Sequence, residues 1–202
     1  MTVITELVAD GSITNPESAK GKLIQCAARL FNTKGFDRTT VRDIAREVGI
    51  LSGSIFHHFP NKEAILCGVM REAVLIATSK MRAALALADT PEARLQALIH
   101  CELESIHGLN GDGFALLVNE WRSLGPDNQA EVLALRDVYE QLWLDVLDQV
   151  RAAGLIDMDT FLVRRFLVGA LSNTYTWFHL DGDMTLQQLA HQALKLIVRP
   201  DQ

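Results

Sequence analysis

His100, Glu104 and His107 are spaced four and three residues apart beside Cys101, which puts two imidazoles and a carboxylate on one face of a helix. Donors so arranged could ligate a divalent metal. Three ligands on one straight helix would have to converge on a single point, however, and no fourth is evident. A solvated polar face accounts for the same residues, so no metal site is expected. His57 and His58 are consecutive, so their rings leave a helix about 100° apart and make a poor chelating pair. The scattered carboxylates form no recognisable acid/base pair, and GxSxG, P-loop, GxGxxG and HExxH patterns are missing. The expectation is a protein that is not an enzyme and holds no resident cofactor.

What remains is non-covalent chemistry, concentrated in GILSGSIFHHFPNKEAIL, residues 49–66. If Ser52 to Phe59 is helical, Ile55 and Phe59 lie one turn apart and face a core, which turns Gly53 and His57 outward with Ser54 and Phe56 beside them. A glycine in a helix interior costs about 1 kcal/mol relative to alanine, so a small outward face implies that something approaches the backbone closely. Ile44, Ala45, Val48, Gly49 and Ile55 have the spacing of a helix-turn-helix: the small residue lets two helices cross, the glycine makes the turn, and the apolar residues lock the pair. The DNA major groove admits one such helix. Arg42 and Arg46 share a face and could meet phosphates, although Asp43 and Glu47 could equally solvate that side with them.

The elements that must position this face read as helices throughout, because apolar residues recur every three or four positions and no stretch sustains a two-residue alternation. Residues 1–15 show no apolar face and are expected to be a flexible tail. A stripe of Leu23, Ile24, Ala27, Leu30 and Phe31 marks a helix from about Glu17 to Lys34, with Gly35 as a left-handed C-cap. Thr40 and Asp43 form a capping box for the next helix, which Gly49 stops. Residues 16–62 thus make a head and 63–202 a body. A helix capped by Asn61 leads out of the head as a lever. Further helices are expected over Thr90–Gly108, Gly113–Leu124, Asp127–Ala153, Asp159–Leu180 and Thr185–Val198. The chain has 202 residues, 49% of them hydrophobic, enough for a core without staples. Its net charge of −6 is uneven, with nine Lys/Arg against five Asp/Glu in residues 16–71 and ten against eighteen from residue 72 onward. A basic head on an acidic body fits a polyanion partner for the head alone. Cys26, Cys67 and Cys101 have no CxxC spacing and read as buried thiols in a reducing cytoplasm. No apolar run approaches the roughly 20 residues of a membrane span.

The run TTVRDIAREVGILSGSIFHHFPNKEAIL resembles the N-terminal DNA-binding domain of TetR-family transcriptional repressors, a likeness extending over residues 17–66. The resemblance implies a three-helix head, an all-α ligand-binding body and a homodimer on a near-palindromic operator. It places Thr40 and Lys62 on phosphates, Ser52, Gly53 and Ser54 at the groove, and His57 and His58 on the DNA backbone. Phe56 stands where the family commonly has Tyr, and Leu51 where Ser or Thr is usual at the helix cap. The last two helices of the body are unusually apolar and need a partner. In the family they form the dimer interface, and Gly169, Ala170 and Ser172 would let helices approach closely.

All three tryptophans lie in the body. A pocket lined mostly by apolar groups with a few polar ones could draw on Phe114, Asn119, Trp121, Arg122, Tyr139, Trp143, Asn173 and Trp177, or these could be core and surface residues with no such role. The strings NEWRSLG and SNTYTWFHLDGDMTLQQLA resemble a subgroup that controls lipid, steroid or aromatic-acid catabolism and senses CoA thioesters. The resemblance implies a small hydrophobic effector, an acyl-CoA thioester in this subgroup. A multidrug or small-metabolite sensor is the alternative, and a carrier or scaffold that does not bind DNA is the alternative of another class.

Overall fold

In the computed structural model, which describes residues 2–108 and 111–198, the expected apolar stripe forms α2, Ala19–Lys34, capped by the Ser18 hydroxyl. The described residues hold ten α-helices and no strand, so the all-α expectation holds. The chain divides into two compact units, residues 1–76 with 110–136 and residues 77–109 with 137–202.

In the first unit, α1 is Val3–Ala9, α3 Val41–Val48 and α4 Ser52–Ile55, and α5, Lys62–Leu85, begins there. The expected flexible tail is therefore partly helical: Thr2 caps α1, Leu7 and Ile13 are buried, and the Thr14 N–H donates to Glu72 Oε1 at 2.9 Å. α2 and α3 pack through Leu23, Ala27, Phe31, Ile44 and Ala45. Gly35 has positive φ (85°) but an extended ψ of 152°, so it is not the left-handed cap expected. Gly49 is that cap for α3, at φ 78° and ψ 32°. Thr39, fully buried, satisfies its hydroxyl on the Gly35 carbonyl at 2.8 Å.

A helix expected over 113–124 is broken. α7 spans Gly111–Asn119, and a single 3-10 turn follows at Trp121–Ser123. The Glu120 carboxylate is the reason, since it accepts the Phe36 N–H at 2.9 Å and the Ser123 hydroxyl at 2.7 Å. Two further ties reach α2 and α5 from these segments. Asn32 donates to Asp112 at 2.7 Å, and Glu63 accepts from the Gly125 N–H at 2.7 Å and the Asn128 amide at 2.6 Å.

The second unit contains α6, Pro91–His107, with Thr90 as N-cap and Pro91 in its first turn as expected. The later part of α8, Pro126–Ala152, joins it, with α9, Thr160–Asn173, and α10, Leu186–Lys195. α9 ends seven residues before the expected Leu180 because Thr174 and Thr176 turn their hydroxyls onto the Leu171 and Asn173 carbonyls, which competes with helix continuation. The capping box at Thr185 and Gln188 opens α10. Leu95, Leu98, Ile99, Leu103, Trp143, Leu147, Leu167 and Leu194 fill the core. Phe161, Leu162 and Phe166 of α9 point outward, Phe166 with 67% of its surface exposed.

Candidate nucleic-acid interface

α4 is only one turn long, followed by turns that keep Phe56 in helical backbone, so the geometry of the outward face does hold. Ile55 and Phe59 are buried, Gly53, His57 and His58 are exposed, and Ser52 and Ser54 are half-buried. A Cβ placed on Gly53 would meet no atom within 4 Å, so the glycine is not forced by the protein's own packing. α3 stands before this face, with Arg42 and Arg46 exposed on it. Arg46 pairs with Asp43, while Arg29 of α2 pairs with Glu47 at 2.6 Å.

Two residues expected at phosphates also make contacts inside the head. The Thr40 hydroxyl accepts the Asp43 N–H at 3.1 Å while Asp43 Oδ2 accepts the Thr40 backbone N–H at 2.9 Å, completing the capping box, and the hydroxyl also donates to that oxygen at 2.7 Å. The same Thr40 contacts hold the Asp43 carboxyl below its ordinary value. Lys62 is anchored in the head through two of its three N–H groups. Its ammonium donates to the carbonyls of Phe36 at 2.7 Å and Thr39 at 3.0 Å and lies 4.1 Å from the centre of the Phe36 ring. A cation at a helix start opposes the helix dipole, and two carbonyls and an aromatic face offset that opposition inside the head without a phosphate.

The eight expected effector residues do not share one compact unit. Phe114, Asn119, Trp121 and Arg122 belong to the first, with Arg136 5.5 Å from the Trp121 ring centre. Tyr139, Trp143, Asn173 and Trp177 belong to the second, where Asn173 and Trp177 are exposed and Tyr139 and Trp143 are buried. A cavity of about 330 Å³ opens in the first unit among Ser12, Lys20, Phe59, Cys67, Arg71 and Glu131, and none of the eight lines it.

Around Tyr139 and Trp143 sits a buried polar cluster that the sequence reading missed. Arg164, 3% exposed, grips Glu140 with Nε at 2.9 Å and Nη2 at 3.1 Å and lies 3.0 Å from Glu102, itself 2% exposed. The Tyr139 hydroxyl donates to Glu102 at 2.7 Å, and the guanidinium lies 4.2 Å from the centre of the Trp143 ring. Burial pushes the Glu102 carboxyl up, against the pull of the Arg164 guanidinium, and pushes the Tyr139 hydroxyl up further with the help of Glu102. The one sequence signal was a pair of arginines, Arg164 and Arg165, within the apolar run Phe161–Leu171.

His100, Glu104 and His107 go separate ways. Glu104 faces Lys80 at 3.7 Å, and His107 Nε2 meets the Thr174 hydroxyl at 2.8 Å. The Thr174 hydrogen is already donated to Leu171, so its oxygen accepts from His107, whose basicity burial lowers.

Comparison with known proteins agrees with this geometry. Residues 23–67 match the family of bacterial regulatory proteins named after tetR, and residues 88–200 match the tetracyclin repressor-like C-terminal domain. The HTH-type transcriptional repressor KstR2 of Mycobacterium tuberculosis is 30% identical over 184 residues, covering 90% of this chain and 92% of that one. A solved structure described as the superantigen pfit is 54% identical over 98% of both chains, with a TM-score of 0.86. AibR, in complex with isovaleryl coenzyme A and operator DNA, is alike in fold, with a TM-score of 0.82 at 21% identity over 91% of this chain and all of that one. The chain belongs to the TetR family of bacterial regulatory proteins, as a DNA-binding transcriptional repressor.

Proposed function

We propose that this repressor works as a homodimer on a palindromic operator and is released by a small hydrophobic effector, an acyl-CoA thioester. The observation that carries the reading is the open space over Gly53, on a face whose Ile55 and Phe59 are held in the core. Ser52, Gly53, Ser54 and Phe56 enter the major groove, while Thr40, Arg42, His57 and His58 lie towards phosphates. Two copies place their recognition helices about 34 Å apart, one turn of DNA. The outward apolar side chains of α9 supply the surface for pairing, and Gly169, over which no atom lies within 4 Å, leaves room for a close helix. α10 joins them through its exposed residues, because Leu194, 2% exposed, belongs to the core.

The effector class draws support from the relatives: KstR2 has been described as a ketosteroid transcriptional regulator, and AibR holds isovaleryl coenzyme A. The acyl group suits an apolar body, and the anionic CoA moiety suits cations such as Arg122 and Arg136. Binding shifts the dimer population away from the spacing the operator needs, and no bond is made or broken. The test is a titration of acyl-CoAs and their free acids against an operator complex followed by fluorescence anisotropy. The expected result is release by a thioester and little release by its acid; release only by unrelated aromatic molecules would replace this reading with a multidrug or metabolite sensor. The relative described as a superantigen favours a second reading, a surface that serves a protein partner in place of DNA. Absence of any operator selected from random duplexes would favour that reading, or a carrier or scaffold.

A further inference from the structure

The stretch from Ile50 to Pro60, ILSGSIFHHFP, contains no Arg, Lys, Asn or Gln. Those are the side chains that make paired hydrogen bonds to guanine or adenine edges in the major groove. The one lysine close after it, Lys62, is committed to two carbonyls of the head. What the stretch presents to solvent is two imidazoles, His57 and His58, and two large apolar side chains, Leu51 at 80% and Phe56 at 54% exposed. Leu51 holds the N-cap position of α4 and makes no side-chain cap bond, so its side chain serves neither the core nor the helix start. Single exposed hydrophobic residues are ordinary on protein surfaces. These two flank the open backbone of Gly53, where a groove floor could come close, and the arginine free for phosphate, Arg42, is on α3, where Arg46 pairs with Asp43.

Among the groups a base pair displays in the major groove, only the C5-methyl of thymine is recognised by apolar contact. We infer that Leu51 and Phe56 read thymine methyl groups, so that the operator half-site carries thymines at the two contacted positions and its specificity is set by methyl contact in place of paired hydrogen bonds. The inference rests on the DNA-binding function proposed above and adds the chemistry of the recognised base.

The experiment starts from an operator selected from random duplexes by the full-length protein. Each thymine of the half-site is then replaced by deoxyuridine, which removes one methyl group and leaves base pairing unchanged. Binding is measured by anisotropy for the wild type, Leu51→Ser and Phe56→Ser. The wild type should lose about fourfold in affinity at each of two positions, what burial of one methyl-sized group is worth. Each variant should lose the sensitivity at one position and keep it at the other. Both side chains are exposed, so the variants should melt with the wild type, which separates a lost contact from a lost fold. Tight operator binding by the wild type that is indifferent to every methyl overturns the inference and leaves the repressor standing. Methyl sensitivity that persists in both variants overturns it as well. Failure of the wild type to select any DNA removes the DNA-binding function and this inference with it.

Discussion

The α3–α4 face and the Arg164 cluster are both polar constructions, built in opposite ways. The face keeps its functional groups in solvent and fixes them with local devices: a capping box three residues wide, a glycine turn, and two buried side chains one helical turn apart. The cluster hides its charges from water and assembles them from α6, α8 and α9, with Glu102 and Arg164 62 residues apart in sequence. Groups placed at the surface can be exchanged with little effect on the fold, whereas buried charges bind the fold to one another's presence. The difference separates what evolution can retune in this molecule from what it must keep.

Arg164→Ala should break the comparison hardest. It leaves Glu102 and one side of Glu140 without a cation in a buried place, a defect that costs about 3–5 kcal/mol in comparable ion pairs and should appear as a large drop in the thermal midpoint. Replacing both partners, Arg164→Met with Glu102→Leu, should recover much of the loss. A single variant that melts with the wild type would mean that water already reaches the cluster. Phe166→Glu comes next. It sits on the outward side of α9, so sedimentation should show monomers with secondary structure intact, and operator affinity should fall by about tenfold or more as the paired half-sites are lost. Leu194→Glu would not serve, because Leu194 lies in the core. Gly53→Leu should act on the fold least of all. Its site is open and helical, so stability should stay within about 0.5 kcal/mol or rise, while operator binding is lost to steric block. A Gly53→Leu protein that binds operator normally would mean that this face does not enter the groove.

The same contrast explains which features are legible in the sequence. Thr40, Gly49, Asn61, Thr90-Pro91 and Thr185 announce helix ends because their bonds run to residues three or four positions away. The outward placement of Gly53 and His57 followed from helical periodicity alone. α1 was illegible because seven residues are too few to hold a helix unaided, and the burial of Leu7 and Ile13 that holds it comes from the tertiary structure. The break at Glu120 was illegible because its carboxylate answers an N–H 84 residues away. The anchoring of Lys62 was illegible for the same reason: nothing near it in sequence says that two carbonyls 23 and 26 residues earlier will receive its ammonium.

The Glu120, Asp112 and Glu63 ties bear on how members of this family can be recombined. A designer who grafts residues 1–62 onto another body would strand the Phe36 N–H, the Asn32 amide and the α2 surface that α7 covers, because those groups find their partners between residues 111 and 128. A workable chimera has to cut inside α5 and again inside α8, and carry the segment 110–136 along with the helix-turn-helix as one heritable cassette. The compact unit that carries the reading head is thus discontinuous in the gene, and exchange of operator specificity between paralogues by a single crossover would deliver a head without its own supporting loop.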